Sequence, residues 1–500
     1  MTSKYARAEH SEFMDATAEA LASANLQLAL SRLGDTLAAG NRSAFEKLPG
    51  SSLLRDKART IKDETLAHLD RHLQELEQAV IARGGHVHFA ADAADANTLI
   101  QEILKSRQAH RVVKSKSMVT EEIHLNKHLE EAGFEVTETD FGEFIIQVAG
   151  ERPSHLVGPA LHKTAEEMAV CLNEEFDQSL TKDPHEMAQF ARGYLRQKFR
   201  EADAGITGGN FLIAETGTVV LISNEGNARL TTSVPPLMIS VVGIEKVIPR
   251  LADLPIFLKV LARAATGQKL SIYTSMITGP RRAGEGDGPE EFHLVLLDNG
   301  RSRILGGPMR ESLFCIRCGA CLNTCPVYRK IGGHSYGGIY SGPIGAVISP
   351  LFDGLEQTYH QPHASSLCGA CQAACPVKIQ IPELLIRNRA AQHEAHVAPR
   401  AEEWIYRAWS WAMRRPGMYR WLGAMASRLL KGKARDGWLR KLPGPLGGWT
   451  EHRDFPLPAA RPFRDRWAEL QQESIEPVTQ AATATPSGAA APSGAAAPSR

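Results

Sequence analysis

The sequence has no apolar run approaching the roughly 18 residues of a membrane span; Pro236 to Ile244 is the longest clean one. Its opening residues, Met1-Thr-Ser-Lys-Tyr-Ala-Arg-Ala-Glu-His, lack the apolar core of a signal peptide. A cytoplasmic protein with no transmembrane segment is therefore expected. Neither G-x-G-x-x-G nor G-x-x-x-x-G-K-[ST] occurs, which removes the dinucleotide fingerprint and the P-loop. An excess of either charge is also missing: 57 Lys and Arg against 56 Asp and Glu leave no nucleic-acid footprint. Tryptophan is absent from the first 400 residues, and cysteine is scarce, eight in 500.

Seven of those cysteines fall in two runs. The first is Cys315-Ile-Arg-Cys318-Gly-Ala-Cys321-Leu-Asn-Thr-Cys325-Pro326, the second Cys368-Gly-Ala-Cys371-Gln-Ala-Ala-Cys375-Pro376. C-x2-C-x2-C-x3-C-P is the spacing of two-cluster bacterial ferredoxins, in which the fourth Cys of each run ligates the other run's cluster. Cys315, Cys318 and Cys321 then share one cluster with Cys375, and Cys368 and Cys371 share a second with Cys325. Structural zinc favours C-x2-C pairs well separated in sequence, and disulfides do not persist among reduced intracellular thiols, so both are weaker readings than two [4Fe-4S] clusters. The second run has Ser365 where the pattern expects its first cysteine. Its cluster is thus a [3Fe-4S] centre or a [4Fe-4S] centre with a non-cysteine ligand, for which Ser365 is the nearest candidate. The amides of Gly319 and Gly369 are candidate donors to cluster sulfur. His334, His360 and His363 read as exposed loop residues, and Cys171 as a buried helical thiol.

The length allows two or three cores. Residues 11 to 83 repeat apolar positions at three and four, as at Leu66, Leu69, Leu73, Leu76 and Val80, which is the helical period. Beyond Gly84-Gly85 short strands alternate with helices: His86 to Ala90, Arg111 to Lys114 and Phe134 to Thr139 are strands, with helices at Ala94 to Arg107 and Val119 to Ala132. Phe144 to Val148 continues the sheet, and Thr164 to Leu172 and Met187 to Ala202 read as helices. Phe211 to Ala214 and Thr218 to Ser223 flank Glu215-Thr-Gly217 as a hairpin. Strands at Leu237 to Val242, Leu270 to Thr274 and His293 to Leu297 complete an α/β domain with a largely parallel sheet.

Gly205, Gly208, Gly209 and Gly226 suit turns better than ligand contact. Yet Asn210, Glu215, Asn224 and Arg229 gather around the hairpin, and Lys114, Lys116, His162 and Lys163 fall at strand or loop ends, where open α/β sheets bind ligands. A small-anion pocket is expected there. Past the second run, thirteen Lys or Arg stand against four Asp or Glu between Arg387 and Lys441, and all seven tryptophans follow residue 400. Trp404, Ala408 and Trp411 share a helical face. This stretch reads as a small helical subdomain packed on the cluster domain, or as a docking face for a partner or anionic lipid, a peripheral membrane contact. The Pro-Ser-Gly-Ala repeats near the end form a disordered tail.

Two clusters without a flavin or nicotinamide motif make a one-electron relay with no complete active site of its own. At this point Gly205 to Thr218, Lys114 to Glu122 and the two Cys runs, in this order, resemble the lactate-utilization iron-sulfur protein B family over about residues 50 to 470. After the helical segment, taken as 1–60, the resemblance implies a lactate-utilization α/β domain at 61–300, similar to the ribose-phosphate isomerase and CoA-transferase fold. An α-helical dicluster ferredoxin domain at 301–395 and a helical C-terminal extension at 396–470 would follow, and the tail at 471–500 lies outside the family pattern. It also implies the electron-transfer subunit of a three-component system oxidising L-lactate to pyruvate, with a cysteine-rich partner, a second protein bearing the lactate-utilization domain, and an electron acceptor. The family's cluster ligands carry over onto the seven cysteines, and no catalytic residue is assigned. Two alternatives stay open: a small-acid-binding regulatory or redox-sensing module with structural clusters, and a relay for another 2-hydroxy-acid or glycerol-phosphate oxidoreductase.

Overall fold

Strands that are apolar along their whole length need cover on both faces, and amphipathic helices supply it. In a computed structural model the described residues are 10–154, 158–442, 444–450, 453–459, 461–467 and 469–471, so the expected tail lies outside them but for its first residue. The strands of the first unit are β1 (His86–Ala90), β2 (Arg111–Lys114), β3 (Glu135–Glu138), β4 (Ala204–Thr207), β5 (Phe211–Ile213), β6 (Thr218–Ser223), β7 (Leu237–Gly243), β8 (Val247–Ile248), β9 (Tyr273–Ile277) and β10 (Glu291–Leu297). Six of them form a parallel sheet in the order β1-β10-β7-β4-β2-β3. β4 and β7 are buried throughout. Gly205 lies between Val113 and Met238, and a Cβ there would stand 2.0 Å from the Thr231 carbonyl oxygen, so the helix Asn227–Ser233 can settle on β4 only over a glycine.

The hairpin is present, but it builds a second sheet, β8-β5-β6-β9, instead of extending the first. Phe211 faces Val220 across its antiparallel ladder. Its turn needs Gly217, whose φ is +65° and whose Cβ would meet the Ala79–Val80 backbone at 2.7 Å. By contrast Gly205, Gly208, Gly209 and Gly226 all have negative or extended φ, so none of them supplies a left-handed turn position, although Gly226 lies in the bend before the helix Asn227–Ser233. At Gly208 the reason is close approach, since a Cβ would lie 2.6 Å from Ser117 Oγ.

Three further expectations are corrected. Phe144 to Val148 is not a strand. The helix Phe141–Val148 begins at Asp140, whose carboxylate accepts from the Gly142 and Glu143 amides, and it buries Phe144, Ile145 and Ile146. A short apolar run fits either element, and the cap decides. The helix expected from Val119 to Ala132 is two, Met118–Glu122 and Leu125–Glu131, because His124 adopts φ 53°. The strand expected at Leu270 is β9, starting three residues later at Tyr273.

A ferredoxin-like region follows the sheet. Two short helices, Ala320–Thr324 and Ala370–Ala374, each follow a left-handed glycine and end at a Cys-Pro pair, and they pack on each other. The helices Gly342–Asp353 and Ile381–Glu394 close around them. One apolar core runs from Phe211 and Val242 through Leu322 and Ile344 to Leu385. The chain divides into two units between Val397 and Ala398. Within the second, helices Arg400–Met413 and Pro416–Lys431 precede a two-stranded pairing of β11 (Trp438–Leu439) and β12 (Phe455–Pro456). The Arg407 and Arg415 guanidiniums lie over the rings of Trp404 and Trp411 at 5.8 and 4.2 Å. Among the described residues no helix is long and apolar enough to cross a membrane.

Ile239 on β7 is fully buried, whereas Ile272 is 64% exposed. Ile239→Ala is expected to cost about 2–5 kcal/mol and Ile272→Ala under about 0.5 kcal/mol, which thermal unfolding followed by circular dichroism will check.

Candidate functional site

The seven cysteines form two sets that cross between the runs. Cys318 is electrostatically coupled to Cys375 and Cys315, and Cys321 to Cys318, Cys315 and Cys375. Cys371 is coupled to Cys325 and Cys368. Cys315, Cys318, Cys321 and Cys375 line one small pocket walled by Ile344 and Val377. The last cysteine of each run therefore sits with the other run's thiols.

Burial, aided by mutual repulsion, pushes the Cys318, Cys321 and Cys325 thiols up, Cys371 to about 12 and Cys375 to about 11. Cys368 is exposed, and its thiol is held below the usual range by the Ala370 amide and the Ser366 hydroxyl. Such buried thiols become thiolates when a metal centre takes them as ligands. A single zinc ion would hold its sulfurs on edges of roughly 3.8 Å, given Zn–S bonds of about 2.3 Å. Among the described residues the one group of three ligand atoms within 4.8 Å of one another is His86, Glu291 and His293, so the cysteines stand too far apart for one ion and suit a larger body.

Amides point at these sulfurs: Arg317 N–H lies 3.4 Å from Cys315 Sγ, Tyr328 N–H 3.5 Å from Cys325 Sγ, and Ile379 N–H 3.4 Å from Cys375 Sγ. Gly319 and Gly369, expected as donors to cluster sulfur, supply left-handed turns at φ 74° and 81°, and the next amides, Ala320 and Ala370, reach the Cys318 and Cys368 thiols. Ser365 Oγ accepts from the Leu367 amide at 3.2 Å. Its neighbour Ser366, which the spacing pattern does not single out, is the hydroxyl bonded to Cys368. His360 is buried rather than exposed, because Phe13 of the N-terminal helix stacks on it at 4.5 Å. Cys171 is half-buried on the helix Ala165–Phe176.

Sequence reasoning missed two supports. Arg55, on the helix Ser51–Ala67, donates to the Cys375 and Ala373 carbonyls at 2.6 and 2.8 Å, fixing the end of the second run. Beneath the first run lies a buried ion network. Arg301 pairs with Glu245 at 2.6 Å and with Glu122 at 2.8 Å, Tyr340 donates to Glu122 at 2.6 Å, and Lys62 donates to the Glu245 carbonyl. Arg317, between the first two cysteines, approaches Glu245 at 3.7 Å and lies 4.6 Å over the Tyr340 ring. Burial alone would raise the Glu245 carboxyl, but Arg301, Lys246, Arg317 and Lys62 hold it down to about 2. Lone Arg and Lys residues in a sequence do not announce such pairs.

Beside this network opens a cavity of about 370 Å³, lined by Ser115, Lys116, Asn210, Asn224, Lys246 and Arg317 among others. Asn210 and Asn224 also brace its wall, accepting from the Ile222 and Ile272 amides at 2.8 and 3.2 Å. Several residues expected with them are elsewhere. Glu215 accepts from the Leu251 amide at 2.9 Å outside the cavity, and Arg229 lines a different cleft. His162 and Lys163 both pair with Glu151. Lys114 is buried against Glu138 at 2.6 Å. Lys116 lies 3.8 Å from Glu143, whose carboxyl is pushed up to about 8 by burial and by Glu138 nearby.

Residues 73–297 match the LUD domain family, 311–379 the 4Fe-4S dicluster domain, and 387–472 the C-terminal family of lactate utilisation protein B. Lactate utilization protein B of Bacillus velezensis is 44% identical over 93% of this chain and 98% of its own. The chain belongs to the lactate utilization protein B family. The Geobacillus kaustophilus lactate utilization protein B is 48% identical over 85% of this chain and 89% of its own, and that of Bacillus subtilis 46% over 86% and 90%. A solved structure, a DUF162 family protein from Deinococcus radiodurans, aligns at TM-score 0.27 and 15% identity over 46% of this chain and 98% of its own, too low to bear on the fold. Like its family, the chain carries a 4Fe-4S dicluster domain, and all seven paired cysteines fall within it.

In this lactate utilization protein B family member, Glu143 sits beneath Lys116 among Glu138, Glu121 and Lys114. Its folded pKa of about 8 exceeds the ordinary 4.5, so its contribution to stability is full below the unfolded value and is lost as pH rises through the folded one. Glu143→Gln removes that dependence. The variant's thermal midpoint should gain on the wild type's as pH is raised from about 6 to about 9; parallel curves would contradict the assignment.

Proposed function

We propose that this protein is the iron-sulfur electron-transfer component of a multi-protein, cytoplasmic complex that oxidises L-lactate to pyruvate, passing single electrons to an acceptor. The observation that carries the reading is the crossing of the two thiol sets between the runs. Relatives named for lactate utilization supply the donor. In this reading the partners are a cysteine-rich protein and a second protein bearing the lactate-utilization domain. Residues 61–300 take the ribose-phosphate isomerase and CoA-transferase-like α/β fold and 301–395 the dicluster domain.

Single-electron acceptance and release is the chemistry that paired [4Fe-4S] clusters supply when bound. Cys315, Cys318, Cys321 and Cys375 would hold one, and Cys325, Cys368 and Cys371 the other, with Ser365 or Ser366 as the hydroxyl nearest its fourth position. The amides of Arg317, Ala320, Tyr328 and Ile379 aim at thiolate sulfur and soften its charge. Ile344, Val377 and Ile379 keep water from the first set. Arg317 and Lys246 place positive charge beside it, which favours a reduced, more negative centre.

Crossing makes a specific demand on variants. Cys325→Ser should alter the electron paramagnetic resonance signal of the second run's cluster and spare that of the first run, although Cys325 belongs to the first run. Loss of the first signal alone would contradict the assignment. For the relay itself, anaerobic protein mixed with its two partners and L-lactate should show cluster reduction on the timescale of turnover, and clusters left oxidised while pyruvate accumulates would end the proposal.

A further inference from the structure

The cavity beside the first cysteine run has the features of a ligand site. It opens at the carboxyl ends of β2, β4 and β7, and the sheet order reverses between β2 and β4, which is where open α/β sheets take ligands. Ser115 to Ser117 follow β2, and Gly208-Gly209 follow β4. The opposite wall is Ile316 and Arg317, the two residues between Cys315 and Cys318.

Among the described residues two buried cationic nitrogens there have no hydrogen-bond partner, Lys116 Nζ and Arg317 Nε. Buried donors in that state are costly, and ligand or water satisfies them. The ionic neighbour of Lys116 is Glu143 at 3.8 Å, a carboxyl that burial and Glu138 nearby push up to about 8. Three cationic side chains, Lys116, Lys246 and Arg317, line the space against two carboxyls, Asp140 and Glu225. Asp140 is spent on the cap of its helix. One positive charge is left over, which suits a monoanion better than a phosphate ester. At about 370 Å³ the space has room for a small organic acid and several waters of roughly 30 Å³ each.

We infer that this cavity binds the carboxylate of a small organic acid between Lys116 and Arg317, directly against the Cys315–Cys318 loop. Lactate and pyruvate are the acids to try because of the lactate-oxidising reading above; the preference for a carboxylate rests on the cavity alone. A carboxylate at Arg317 adds negative charge beside the first-run cluster and disfavours its reduction, so occupancy lowers that cluster's midpoint potential.

The test uses the whole chain, anaerobic and cluster-loaded, without partners, so its outcome does not depend on electron relay. Calorimetry with L-lactate or pyruvate should give saturable heat, at least about tenfold weaker in Lys116→Gln and unchanged in Glu215→Gln, which lies outside the cavity. No heat with either acid, heat indifferent to Lys116→Gln, or heat with inorganic phosphate alone would overturn the inference. Should Lys116→Gln lose its clusters, the wild type decides by potentiometric titration: the first-run midpoint falls when lactate is added, and an unmoved midpoint overturns the inference. Lactate binding with no partner-dependent reduction would leave this site standing and remove the relay instead.

Discussion

The exchange of the last thiol between two cysteine runs constrains everything around it. The first run offers three sulfurs on a tight loop and the second two, and the sulfur four residues further along each, Cys325 or Cys375, sits with the other run's thiols. Ala320–Thr324 and Ala370–Ala374 must therefore pack together. That contact requires a left-handed glycine before each helix and a proline after each terminal cysteine, both of which the chain provides. It also requires neighbours that hold the ends in place, and the Arg55 bonds to the Cys375 and Ala373 carbonyls do so from a helix more than 300 residues earlier.

The second constraint is electrostatic. Glu122 and Glu245 come from the sheet region, Arg301 from the helix just after its last strand, and Arg317 and Tyr340 from the ferredoxin-like region, and they meet in one buried network. Removing one partner of a buried pair typically costs about 3–5 kcal/mol, so the network ties the position of the first cysteine loop to that of the sheet. The same network leaves positive charge facing the cavity and the loop at once. A single residue, Arg317, thus belongs to the loop, the network and the cavity wall.

Much of this was legible in the sequence because it is written in local spacing. The crossed cysteine sets follow from C-x2-C-x2-C-x3-C-P, and the parallel sheet from strands such as Leu237 to Val242 alternating with helices. What stayed hidden depends on long-range packing. Phe144 to Val148 is as apolar as a strand, and only the Asp140 cap turns it into a helix. Glu215 looked like a site residue from its place in the hairpin, yet its carboxylate is used to hold Leu251. Arg55, Glu245 and Arg301 carry no motif, and their partners lie 56 to 320 residues away. The second sheet was missed for a related reason: a hairpin announces its own pairing, while its pairing with β8 and β9 is decided by the core.

The proposed holding of two inorganic clusters by seven cysteines is tested most directly by ⁵⁷Fe Mössbauer spectroscopy with iron and sulfide counting on anaerobic protein. The expected result is about seven or eight irons per chain with matching acid-labile sulfide, in two spectroscopically distinct centres. Zinc in place of iron, or iron without labile sulfide, would contradict it.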